Sequence, residues 1–116
     1  MSAADDEQQG EVPEGVAVFP LIPEELGVHP LLLAVLHATV FLDGSKDDIV
    51  DPDAAVEAME YMGTYLQRLR AVDLLRVRED LACLASYARQ EKWPKQYQRF
   101  FNEFLKNYGV GEAEEA

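Results

Sequence analysis

The segment Leu31–Leu42, LLLAVLHATVFL, runs for twelve residues without a formal charge. That is too short for a bilayer, which needs about 20 apolar residues. It is also too apolar for a surface helix. A helix that is apolar on every side is buried on every side. The segment is therefore expected to be a helix from about His29 to Leu42, at the centre of a soluble domain. Pro30 suits its first position, where a missing N–H costs nothing. Asp43-Gly44-Ser45 ends it. His29 reads as a helix-start residue, and His37, within the most apolar stretch, as a core histidine with one hydrogen-bond partner.

Three further helices follow from the spacing of apolar residues. Asp51-Pro52 is a capping pair, and Ala55, Met59, Met62, Leu66 and Leu69 make one seam over a helix from Pro52 to about Arg70. Gly63 lies off that seam. Continuing the same spacing lands on Asp73, Arg76 and Asp80, whereas the observed apolar set is Leu74, Val77, Leu81, Leu84 and Ala88. The stripe slips by one residue, about 100° around the axis. A break near Ala71–Asp73, with Asp73 as cap, explains the slip. One long helix turning onto a second neighbour is the alternative. This third helix ends near Lys92, ahead of Pro94. The fourth carries Tyr97, Phe101, Phe104 and Tyr108 and stops at Gly109-Val110. Six of the eleven aromatic residues lie between Trp93 and Tyr108, so this helix supplies much of the core's bulk.

No segment alternates long enough to argue for a sheet, and Pro20 and Pro23 make Val16–Val28 an extended segment. The expected fold is all-α, a compact bundle of about four helices with an extended, proline-containing N-terminal arm and acidic flexible tails. The expected divisions are an acidic disordered tail at 1–15, an apolar arm at 16–28, a helical domain at 29–110 and an acidic C-terminal tail at 111–116.

The formal charge is -12 over 116 residues, unevenly spread. Residues 1–27 hold seven acids and no base, and residues 109–116 add three more acids. Asp43–Glu60 has seven acids against Lys46, while Arg68–Lys106 has nine bases against five acids. The N-terminal stretch lacks the basic and apolar regions of a secretory signal and the arginines of a mitochondrial one. One cysteine, Cys83, excludes an internal disulfide and suits a reducing compartment. A cytoplasmic protein that makes no membrane contact is expected.

A search for chemistry finds little. His29 and His37 are eight apart, not the three or four that place two ligands together on a helix. Cys83 has no base to activate it. DGSKDDIVDPD offers five aspartates in eleven residues, but a calcium loop needs glycine sixth and glutamate twelfth; Asp48 and Ala54 stand there. No phosphate loop is present, and no cofactor or metal is expected. Arg76, Arg89, Lys92, Lys95 and Arg99 form a candidate basic face. Because the pI is about 4.4, nucleic acid is not expected as a partner.

The leading expectation is a small acidic helical protein-interaction module, an adaptor or accessory subunit without catalysis, binding another protein or a second copy of itself. Phe19, Leu21, Ile22 and Leu26 of the arm are the candidate contact residues, either with a partner's groove or with the chain's own helices. Packing on its own helices is favoured, because exposed apolar arms invite aggregation. The first alternative is a ligand carrier or enzyme with a pocket between helices one, two and four near His37, Tyr61, Tyr65 and Tyr97. The second is a nucleic-acid mimic or nucleic-acid-binding protein.

Overall fold

The computed structural model describes residues 12–111. The tails, apart from residues 12–15 and 111, lie outside the described residues. Within them the chain forms four α-helices and no strand: α1 Pro30–Gly44, α2 Pro52–Leu66, α3 Ala71–Gln90 and α4 Lys95–Asn107; a single 3-10 turn, Glu24–Leu26, closed by a left-handed Gly27, interrupts the arm expected to be extended over 16–28. No helix among the described residues is long and apolar enough to cross a membrane. Helices α3 and α4 pack most extensively, and α1 packs against α2. The core centres on Leu36, Leu84, Phe101 and Phe104, which are fully enclosed.

Helix α1 starts as its sequence indicates. The Nδ1 of His29 accepts the Leu31 N–H at 3.1 Å, and Pro30 occupies the first turn. Its burial differs from expectation. Only Leu32, Leu36 and Thr39 are buried, one stripe at spacings of four and three. Leu31 is 71% exposed, and His37 is exposed rather than a core histidine. The physical reason is size. A bundle of four short helices has no second layer, so each helix keeps an outer face whatever its composition.

Asp51 caps α2 by accepting the Ala54 N–H at 2.9 Å. The helix stops at Leu66, three residues before its apolar spacing does. The Arg70 guanidinium donates to the carbonyls of Gln67 and Leu69 at 2.6 and 2.9 Å, which satisfies exposed acceptors after the helix end. The chain then turns, with Ala71 at φ 50°, and α3 begins. The slip in the apolar stripe thus marks two helices. Asp73 lies in the first turn of α3 and does not cap it, because the N-cap position is Arg70.

Helices α3 and α4 end alike. Trp93 N–H bonds the Ala88 carbonyl and Lys92 N–H the Arg89 carbonyl; Val110 N–H bonds Leu105 and Gly109 N–H bonds Lys106. Both are six-to-one closures with a left-handed residue, Lys92 at φ 60° and Gly109 at φ 75°.

The arm lies across its own helices. Phe19 and Val28 are buried in the core, and Ile22 and Leu26 pack partly buried against it. Phe19 meets the Phe101 ring edge-on at 5.9 Å and Phe100 at 6.4 Å. Five hydrogen bonds hold the arm along its length: Lys46 N–H to the Gly15 carbonyl at 2.8 Å, Ala17 N–H to Ser45 Oγ at 2.9 Å, Cys83 Sγ to the Leu26 carbonyl at 4.0 Å, Arg76 Nη2 to the Gly27 carbonyl at 3.0 Å and His29 N–H to Asp80 Oδ2 at 3.0 Å. Because Glu14 and Gly15 form a turn bonded to the α1–α2 loop, the anchored arm begins before Val16.

Candidate functional site

The residues singled out from the sequence fall into three places. Of the four arm residues, Phe19 is 4% exposed and Leu21 is 71% exposed, with Ile22 and Leu26 between. Leu21 alone presents its side chain to solvent. Among the five candidate basic residues, Arg76 is drawn away. Its Nε donates to both Asp80 carboxylate oxygens at 3.1 Å and its Nη2 holds the arm. This is the only ion pair among the described residues. Arg89, Lys92, Lys95 and Arg99 stay exposed around the α3–α4 turn, while Arg78 and Lys106 flank a groove further along the same two helices.

His37, Tyr61, Tyr65 and Tyr97 do not converge. The first three are exposed, with the Arg68 guanidinium 4.8 Å above the Tyr65 ring. Tyr97 stacks edge-on against Trp93 at 5.1 Å, at the opposite end of α4 from Tyr108. A groove does open between α1, α2 and α4, with other walls.

This groove has a volume of about 730 Å³. Its floor is Tyr108, Phe100 and Met59, each partly exposed, with the enclosed Phe104 ring beneath, 5.1 Å from that of Tyr108. The Tyr108 hydroxyl lies 2.7 Å from Thr39 Oγ1, which ties the end of α4 to α1. The Tyr108 carbonyl accepts from Gln67 Nε2 at 2.8 Å, which ties it to the end of α2. Gly63 is buried because Tyr108 crosses directly over it: a Cβ there would sit 3.2 Å from Tyr108 Cδ1. Burial pushes the Tyr108 phenol above its ordinary pKa of 10.0; the Thr39 hydrogen bond opposes this and the Asp43 charge adds to it. Asp43 and Glu60 stand on the rim, and no base lines the groove. The sequence signal for this site was Gly63, a glycine inside a helix and off its seam, which marks a close approach.

A second, smaller groove of about 260 Å³ lies where α1 begins, α2 ends and α3 begins. Its walls are mostly aliphatic: Leu32, Val35, Leu66, Leu69 and Val77. Leu31 in its lining is 71% exposed; elsewhere on the surface of α3, Val72 and Leu75 are 77% and 57% exposed. Val72 and Leu75 are three apart on α3, hence on one face. Among the described residues no group of three or more metal-ligating side chains occurs. The chain matches no protein-family model, no curated protein and no solved structure.

Proposed function

We propose that the protein is a small acidic helical protein-interaction module, an adaptor or accessory subunit with no catalysis of its own, whose partner supplies an amphipathic helix. The observation that carries this reading is the aliphatic groove itself, with Leu31 in its lining left 71% exposed. An apolar groove left open at the surface is a feature of interaction sites. A groove with rows of aliphatic side chains suits the apolar face of a helix, read as contacts three and four residues apart. The arm contributes by shaping this surface: the Arg76 side chain that lines the groove is the one bonded to Gly27.

The test is to compare wild-type chain with a Leu31→Glu variant, which puts a charge on the groove at an exposed position, by light scattering on a sizing column and by capture from native lysate. The expected result is a dimer or a stoichiometric partner with the wild type, lost with the variant while its thermal melt is unchanged. A wild-type monomer that captures nothing refutes the module.

A second reading, that of a small-ligand carrier, is favoured by the aromatic-floored groove between α1, α2 and α4. Its volume of about 730 Å³ falls within the roughly 300–1,000 Å³ of small-molecule sites.

A further inference from the structure

We infer that the groove between α1, α2 and α4 is a binding site for a small organic cation, an ammonium carried on an apolar or aromatic body. The inference rests on the carrier reading and names its ligand.

Four features of the groove act in the same direction. Its exposed floor is aromatic and its side is a thioether: Phe100, Tyr108 and Met59, each partly exposed. Such surfaces attract both an apolar body and, through the ring faces, a cation. Its rim carries Asp43 and Glu60 and no lysine, arginine or histidine. Neither carboxylate is engaged in an ion pair among the described residues. Two helices also end there. Thr39 and Asp43 belong to the last turns of α1, and Asn107, Tyr108 and Gly109 close α4. The C-terminal end of a helix carries about half a negative charge from its unpaired carbonyls. An anion would meet two carboxylates and two negative helix ends, with no lysine, arginine or histidine in the lining. A neutral ligand would gain the floor alone. A cation gains both.

The geometry is also held in place before any ligand arrives. Tyr108 is fixed by Thr39 at its hydroxyl, by Gln67 at its carbonyl and by Phe104 at its ring. Gly63 lets it lie against α2. A floor fixed in this way loses little entropy on binding.

The probe is 2-phenylethylammonium, titrated into the full chain at pH 7 up to about 10 mM, where fragments of this size bind, with shifts followed by NMR. Neutral 2-phenylethanol and anionic 3-phenylpropionate are the controls. The ammonium is expected to bind with shifts at Thr39, Gly63 and Tyr108, and the anion not to bind. Asp43→Asn and Glu60→Gln are each expected to weaken binding about fivefold, as for partly exposed charge pairs. Their melts should match wild type, since both side chains are exposed. If the alcohol binds as well as the ammonium, or if both carboxylate variants bind it unchanged, the cation inference fails and the carrier reading stands. If none of the three probes binds, both fail.

Discussion

Replacing Phe19 with alanine tests whether the arm is part of the domain or an accessory to it. The ring is almost wholly enclosed and lies against Phe100 and Phe101. A buried phenylalanine removes about 150–250 Å² from water. At about 25 cal/mol per Å², and allowing for burial already present in the unfolded chain, its loss costs about 3–5 kcal/mol. That agrees with Phe→Ala changes in other cores. The whole domain is worth only about 5–15 kcal/mol, so the variant should melt at least about 12 °C below wild type. Urea titration followed by Trp93 fluorescence is the assay. Trp93 is the only tryptophan and packs edge-on against both Tyr87 and Tyr97, so it reports on the α3–α4 pair. Leu21→Ala is the internal control, because an exposed side chain two residues away should change stability by less than about 0.5 kcal/mol. A Phe19→Ala loss below about 1 kcal/mol, or one no larger than that of Leu21→Ala, would refute the packing of the arm into the core.

Other perturbations follow from the same contacts. Asp80→Ala should cost about 2–3 kcal/mol by chemical denaturation, because the buried carboxylate accepts from both Arg76 and the His29 backbone and its loss strands the His29 N–H. Lys92→Gly should raise stability by about 0.5–1 kcal/mol and Gly109→Ala lower it by about 1 kcal/mol, both read as shifts of melting temperature, since both positions are left-handed and only one already has glycine. Tyr108→Phe should flatten the alkaline side of the stability profile. The folded phenol keeps its proton above the pH of about 10 at which an unfolded tyrosine ionises. Its contribution is therefore complete below pH 10 and fades as pH rises through the raised value; denaturation midpoints measured between pH 8 and 11.5 check this.

Much of the fold was legible locally. Pro30, Asp51-Pro52 and Gly109-Val110 state where helices start or stop through backbone chemistry that depends on nothing distant. The one-residue slip between Leu69 and Leu74 states that two helices, not one, span that region. The left-handed turn at Lys92 was hidden, since lysine does not advertise that conformation. The early stop of α2 was hidden too, because Arg70 folds back on the carbonyls it satisfies.

The candidate site was barely legible. Residues chosen for their chemistry, His37, Tyr61 and Tyr65, stand on outer faces, while Thr39, Gly63 and Tyr108 meet across three helices. Gly63 hinted at a close approach without naming its partner. Likewise Arg76 and Asp80 are visible as neighbours four apart on a helix, but not as the pair that fastens Gly27 and His29.

By itself the sequence determined the helices, their phase and most of their ends, because propensity, capping and periodicity act within a few residues. It also determined an apolar arm stiffened by proline. Only the tertiary structure decided which apolar surface is covered. Burial depends on how many neighbours surround a helix, and a four-helix bundle leaves even Leu31 in water while drawing Phe19, from outside any helix, into the core.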